Sequence, residues 1–335
     1  MTYAGTKVLV TGADGFIGSH LTEELAARGA RVTALSLYNS FDSHGWLDHM
    51  PEATRAKLKL VRGDIRDAAF MRRIVRDQEI VFHLAALIAI PQSYVAAQSY
   101  VESNVMGTLN VLEACREHGV GRIVQTSTSE VYGTAQTVPI SESHPLHGQS
   151  PYAATKIGAD MLAEAFARSF EMPVAILRPF NTYGPRQSER AILPALIRQA
   201  LDPACPAILV GDTSTRRDLT FVSDTVAAFV ALGMAETISY GVPYNAGSGQ
   251  AVTIGELVRL VVEKTSCGKP VVTDPERMRP VNSEVRVLLA DSARLHTEAG
   301  WKPQVGLSEG IERTTDWWHA RLQSGLVRRE IGYIT

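Results

Sequence analysis

Three things are scarce in this chain: cysteine, net charge and long apolar runs. The three cysteines, Cys115, Cys205 and Cys267, lie far apart in 335 residues. They match no zinc or redox spacing, which excludes a disulfide-stapled scaffold and points to a reducing compartment. A formal net charge of −2 gives no electrostatic case for a nucleic-acid partner or an anionic membrane. The most apolar patch, Leu84 to Ile90, is far below the roughly 20 residues of a membrane span. Lys7 to Val10 is too short for a signal-peptide core and runs into a glycine turn. A cytoplasmic protein is therefore expected. No internal repeat or low-complexity segment interrupts the chain. With 45% apolar and 20% charged residues, the composition is that of a globular protein, long enough for one large domain or two joined ones.

The N-terminal pattern is strand, glycine turn, helix. Lys7 to Val10 reads as a buried strand and is followed by Thr11-Gly12-Ala13-Asp14-Gly15-Phe16-Ile17-Gly18. An amphipathic helix then runs to about Arg28 and is stopped by Gly29. Glycines at 12, 15 and 18 permit a tight turn and close backbone approach to a pyrophosphate, which sits on the free N–H groups of the helix start. The triplet falls between the first strand and the first helix, the context a dinucleotide site requires. Arg31 to Leu37 is the second strand. A carboxylate normally ends that strand to hold the ribose 2′-hydroxyl. Ser36 occupies the position here, followed by Leu37 and Tyr38 with no arginine, which leaves NAD and NADP both open.

Leu58 to Arg62 is the third strand. Asp64 and Ile65 after it are placed to meet the adenine, although Asp64 is also suited to cap the helix expected over 68–76. Ile80 to Leu84 is the fourth strand, and the small residues of Leu84-Ala85-Ala86 would let a cofactor pass over its end. One long helix is expected over Val95 to His118. Asn104 lies inside it, an unfavourable place for asparagine unless its side chain is engaged. The alternation over the first 180 residues predicts an α/β fold, a Rossmann-type doubly wound parallel sheet with helices on both faces. Beyond Val174 to Leu177, prolines become frequent and segments short. Helices are expected at 191–201, 223–235, 254–264 and 307–322. The expected division is 1–180 for the dinucleotide-binding domain, 181–325 for a smaller substrate lobe that returns once to the sheet, and 326–335 for a tail.

The chemistry concentrates in residues 126–156. A strand from Arg122 to Ser127 opens into Thr128-Ser129-Glu130-Val131-Tyr132-Gly133. After a polar loop, Ser150-Pro151 starts a helix, with Ser as cap and Pro in the first turn. Tyr152 and Lys156 stand at i and i+4, on one helix face and about 6 Å apart along the axis. A lysine cation beside a phenol favours the phenolate, so Tyr152 is expected to have a lowered pKa and to act as a base toward a hydroxyl. Other candidates are weaker. His44 with His49, and His144 with His147, sit in Gly- or Pro-bearing loops without carboxylate pairs and read as solvated histidines, so no metal site is expected. Cys115 reads as core, and Trp317-Trp318 as helix packing.

These motifs, together with Arg178-Pro179-x-Asn181-x-Tyr183-Gly184-Pro185-Arg186, resemble the extended short-chain dehydrogenase/reductase family of nucleotide-sugar epimerases and dehydratases over about residues 5–322. The resemblance implies a redox triad of Thr128, Tyr152 and Lys156, with Lys156 also on the nicotinamide ribose and Asn104 bracing the site. It implies that Asn181, Arg217 and Arg279 serve the sugar-nucleotide diphosphate, and that Arg186 and Thr128 also bind the substrate. Simple 4-epimerases of the family have a small residue where this chain has Glu130. Thr128-Ser129-Glu130 is similar to the triplet of 4,6-dehydratases and is shared by UDP-glucuronate decarboxylases. Tyr38-Asn39-Ser40-Phe41 and the Arg279-Pro280-x-Asn282-Ser283-Glu284 segment look most like the legionaminic-acid-type 4,6-dehydratases.

The implied reaction is that of a lyase of polysaccharide biosynthesis, with NAD as cofactor and NADP not excluded. The substrate would be UDP- or GDP-N-acetylglucosamine. C4 oxidation would acidify the C5 hydrogen, Glu130 would remove it, the C6 hydroxyl would leave as water, and hydride would return to C6. Ser129 stands where sister enzymes carry Asp, so protonation of the leaving hydroxyl stays open. The alternatives are UDP-glucuronate decarboxylation, 4-epimerisation, or a nucleotide-binding protein with a dead site. Helices 95–118 and 152–169 would pair across a two-fold axis into a four-helix homodimer interface.

Overall fold

A computed structural model of the chain describes residues 2–278 and 285–327. Seven parallel strands form one sheet. They are β1 (Lys7–Thr11), β2 (Arg31–Leu37), β3 (Lys59–Gly63), β4 (Ile80–His83), β5 (Arg122–Thr126), β6 (Val174–Pro179) and a late strand, Pro243–Ala246. Their spatial order is Pro243–Ala246, β6, β5, β4, β1, β2, β3. The chain therefore winds outward in both directions from the β1–β4 pair, where Val8 stands opposite Ile80 and Thr11 opposite His83. That reversal leaves a crevice above the strand C-termini, where open α/β sheets take their ligands.

Both faces of the sheet are covered, so side chains alternate between two cores. Leu9, Leu35, Val81, Ile123 and Ile176 enter one of them. Val8, Val10, Val32, Ala34, Phe82, Val124 and Leu177 enter the other. A third cluster of Val131, Tyr132, Ile140, Phe180, Val285 and Leu288 lies around the 129–132 turn. Helix α1, Phe16–Ala27, packs beside the Val222–Met234 helix. In the second half, Ile192–Leu201, Ile254–Thr265 and Leu307–Gln323 pack together. There a small sheet joins Ala251–Thr253 antiparallel and Val287–Leu288 parallel to Arg216–Asp218.

Three expectations need correction. The helix over 95–118 is not continuous. It is built from Ala97–Tyr100, a π-helical stretch Val101–Met106, and Gly107–Glu117. A π turn inserts extra width and rotates the side chains it carries, and Asn104 is one of them. Asp64 does not cap the 68–75 helix. Asp67 does, accepting from the Phe70 N–H at 3.0 Å, while Asp64 accepts from Arg66 at 2.6 Å. His44 and His144 are buried rather than solvated. His44 Nδ1 pairs with Ser36 Oγ at 2.8 Å, and His144 Nε2 accepts from the Gln136 N–H at 2.9 Å. No group of three or more His, Cys, Asp and Glu side chains suited to a metal occurs among the described residues. Among them, too, no helix is long and apolar enough to cross a membrane.

Candidate active site

The glycine turn is as tight as backbone allows. Gly12 has φ +67, and a Cβ there would meet Ala85 backbone atoms at 2.8 Å. A Cβ on Gly18 would stand 2.0 Å from the Gly12 carbonyl oxygen. Gly15 occupies the N-cap of α1 with no side chain satisfying the first-turn N–H groups. Bare amides facing a shallow cradle suit a pyrophosphate, so the residues present fit a dinucleotide. Phe16 and Ile17 continue the turn and pack at the edge of the core.

Thr11 locks the two central strand ends together. Its Oγ1 accepts from the Leu84 and Ala85 N–H groups, each at 3.1 Å. The hydroxyl proton is then left for His83 Nδ1, 2.7 Å away. That assigns the ring N–H to Nε2, which points at Thr108 Oγ1, 3.2 Å away. A neutral ring agrees with burial lowering the His83 pKa to about 3. Ala86 follows in the same loop. Asn104, buried, closes the arrangement. It accepts from the Leu87 N–H at 2.8 Å and donates to the Leu87 carbonyl at 2.9 Å and to Thr155 Oγ1 at 3.0 Å. The 84–87 loop is thereby tied to the helix Pro151–Phe170. Ile65 is buried and sits so close to Gly107 that a Cβ there would strike its Cδ1 at 2.5 Å.

Ser36 does not stand as expected. It is fully buried, and its hydroxyl is engaged with His44 and the Val61 carbonyl. The Ser36 hydroxyl is therefore already paired within the fold. Nothing in the sequence spacing announces the His44 partner, because the contact comes from a loop folding back over Asp14. The Trp46 N–H donates to the Asp14 carbonyl there, at 3.1 Å.

Residues 128–132 form a short 3₁₀ turn above β5, with Thr128 as its cap. Thr128 Oγ1 accepts from the Glu130 N–H at 3.2 Å, and the Thr128 side chain favours the ionised Tyr152 phenol. Ser150 caps the Pro151–Phe170 helix as expected, accepting from the Ala153 N–H at 3.1 Å. Tyr152 and Lys156 are both buried, and the Tyr100 ring meets the Tyr152 ring edge-on at 6.3 Å. Lys156 Nζ donates to the Thr126 carbonyl at 2.5 Å. Burial pushes the Tyr152 phenol up, the Thr128 side chain opposes this, and the Glu130 charge adds to it. The expected lowered phenol pKa is thus reversed in this state. Desolvation of the anion dominates, and Lys156, lowered to about 8 by its own burial, does not offset it. Glu130 is half-buried in the same turn, two residues after Thr128. Ser129 is buried in the turn.

Asn181 follows β6, and its Nδ2 is buried with no hydrogen-bond partner among the described residues. Arg217 lies buried on the Arg216–Asp218 strand and donates to the Arg216 carbonyl at 3.1 Å. Arg186 is not a free ligand. It has φ +68 and pairs with Glu23 of α1 at 2.8 Å, so its charge is used between the turn after β6 and the first helix. Arg279 lies outside the described residues.

Comparison with known proteins fits this geometry. A family profile described as GDP-mannose 4,6 dehydratase matches residues 9–314. A dTDP-glucose 4,6-dehydratase of Actinoplanes sp. is 34% identical, with 94% of this chain and 98% of that protein covered. A UDP-glucose 4-epimerase of Mycolicibacterium smegmatis is also 34% identical, covering 95% and 100%. Among solved structures, the dTDP-glucose 4,6-dehydratase DesIV of Streptomyces venezuelae with NAD bound superposes with a TM-score of 0.81. It shows 29% identity and coverage of 95% of this chain and 98% of that one. The chain belongs to the GDP-mannose 4,6-dehydratase family, within the extended short-chain dehydrogenase/reductases that include nucleotide-sugar dehydratases and epimerases.

Proposed function

We propose that this protein is an NAD-dependent nucleotide-sugar 4,6-dehydratase acting on UDP- or GDP-N-acetylglucosamine. The observation that carries the reading is the 128–132 turn. It carries one carboxylate, Glu130, two residues after Thr128, and the Glu130 charge acts on the buried Tyr152 phenol. The NAD bound in the S. venezuelae enzyme and the amide cradle at Gly12, Gly15 and Gly18 support the cofactor. When bound, NAD supplies the redox chemistry, taking the C4 hydride and giving it back at C6, so no external oxidant is consumed. Residues 1–180 hold the cofactor, and residues 181–325 hold the sugar nucleotide.

Each residue then has a task. Tyr152 takes the C4 hydroxyl proton, with Thr128 donating to its oxygen to favour the anion. Lys156 supplies positive charge beside the phenol and the nicotinamide ribose. The 4-ketone makes the C5 hydrogen acidic, Glu130 removes it as a proton, the C6 hydroxyl departs as water with a proton from Glu130 or a relayed water, and C5 takes a proton back as hydride returns to C6. Asn181, with its unsatisfied Nδ2, and Arg217 hold the diphosphate. A second copy covers the exposed Val95, Val101, Met106 and Met161, making a homodimer through helices 95–118 and 152–169.

A 4-epimerase reading draws on the M. smegmatis relative. It leaves Glu130 without a task, since epimerisation returns hydride to the carbon it left. Decarboxylation requires a cation for a C6 carboxylate. A dead site leaves Thr128, Tyr152 and Lys156 without a purpose. Incubation with UDP- and GDP-N-acetylglucosamine, UDP-glucose and UDP-glucuronate separates them. The proposal expects a 4-keto product lighter by one water from an N-acetylglucosamine nucleotide. An epimer of unchanged mass, loss of carbon dioxide, or no turnover on any of the four rejects it.

A further inference from the structure

The 128–132 turn is tied at both ends to one buried ion pair. Arg178 of β6 and Asp160 of the Pro151–Phe170 helix have side chains 2% and 0% exposed. Asp160 Oδ2 accepts from Arg178 Nε at 3.0 Å and Nη2 at 2.9 Å. The same oxygen accepts from Ser127 Oγ at 2.8 Å. Ser127 is the residue before Thr128. On the other side, Arg178 Nη1 donates to the Tyr132 hydroxyl at 3.0 Å, and Tyr132 ends the turn. The Tyr132 hydroxyl in turn donates to Asn245 Oδ1 at 2.7 Å. Asn245 sits on the late strand, its Nδ2 donating to the Ile140 carbonyl at 3.0 Å. The guanidinium also lies 5.0 Å from the Tyr132 ring centroid.

A buried ion pair is a poor way to gain stability, because desolvation offsets most of the attraction and apolar replacements are often as stable. Its value here lies in what it grips. Asp160 stands one turn beyond Lys156 and two beyond Tyr152 on the same helix. The pair therefore joins the helix bearing the phenol and lysine to both flanks of the loop bearing Thr128 and Glu130. We propose that Asp160 and Arg178, acting through Ser127 and Tyr132, are positioning residues that hold the Glu130 carboxylate and Thr128 hydroxyl in register with Tyr152. The inference rests on the reaction assigned above. Phenol and carboxylate must work in succession on neighbouring carbons of one bound sugar, so their relative placement has to persist from the first proton transfer to the second. None of the four residues needs to touch the sugar.

Three variants test this: Ser127→Ala, Tyr132→Phe, and the paired replacement Asp160→Leu with Arg178→Met. The readouts are melting temperature, kcat and KM for product formation, and amide hydrogen exchange across residues 128–133. Ser127→Ala and Tyr132→Phe are expected to lower kcat by roughly 10- to 100-fold, the scale of a small misplacement, with KM little changed and faster exchange in the turn. The paired replacement is expected to melt near the wild-type temperature while kcat stays low. Recovery of wild-type kcat together with melting temperature in the paired variant would overturn the proposal. So would unchanged exchange and unchanged kcat in both single variants, which decide the matter alone if the paired variant does not fold. Exchange needs no substrate, so it judges the network even where the assigned reaction fails.

Discussion

Lys156 shows why spacing and environment have to be read separately. Its place one helical turn after Tyr152 was legible, because i and i+4 share a face whatever surrounds them. Its burial was not, because its hydrogen-bond partner, the Thr126 carbonyl, arrives from β5. With the ammonium lowered to about 8 from 10.5, the folded chain gives up this proton first as pH rises. Between those values the unfolded chain binds more protons, so this group makes the ligand-free protein more stable toward alkaline pH, not less. Activity moves the other way, since the cation beside the phenol is lost. The kcat/KM of the free enzyme should therefore fall as pH passes about 8 without a matching drop in melting temperature. A limb near 10.5 would mean a solvated ammonium. Glu130→Gln should cut product formation by about 10²–10⁴-fold, the usual worth of a general base, with circular dichroism and bound-cofactor content unchanged. The partners of Ser36 and Arg186 were not legible, for one physical reason. Each is consumed by a tertiary partner, His44 and Glu23 respectively, that local sequence does not announce.

At the scale of elements, the strand–turn–helix start was legible because its glycines are dictated by backbone approach rather than by side-chain packing. Gly18→Ala tests that directly. The added methyl would stand 2.0 Å from the Gly12 carbonyl, and overpacking of this kind costs about 1–3 kcal/mol. Co-purified dinucleotide, measured by mass spectrometry, should fall sharply and melting temperature should drop. Full occupancy would show that the turn yields more than its geometry allows. The π-helical stretch 101–106 was illegible, since a period near 3.6 reads the same on either side of one widened turn. Asn104 was the only hint, and an asparagine inside a helix signals that its amide is engaged without saying how the backbone accommodates it. The Ser150 cap, by contrast, is a local contact and was read correctly down to the residue.

For the whole molecule, alternation of strands and helices sufficed for a doubly wound sheet, and the topological reversal at β1 and β4 follows from that class of fold. The late return of Pro243–Ala246 beside β6 was expected in kind but not in place, because nothing in Pro-Tyr-Asn-Ala marks a buried strand. If the 95–118 and 152–169 helices meet a second copy, light scattering should give a dimer and Met161→Arg a monomer; a wild-type monomer at micromolar concentration would contradict this. The central claim is that one carboxylate removes the C5 hydrogen of an oxidised sugar. Turnover of UDP- or GDP-N-acetylglucosamine in deuterated water, followed by mass spectrometry, tests it most directly. The account predicts a product that has lost one water and carries one solvent deuterium at C5, whereas a product of unchanged mass with no deuterium on carbon would contradict it.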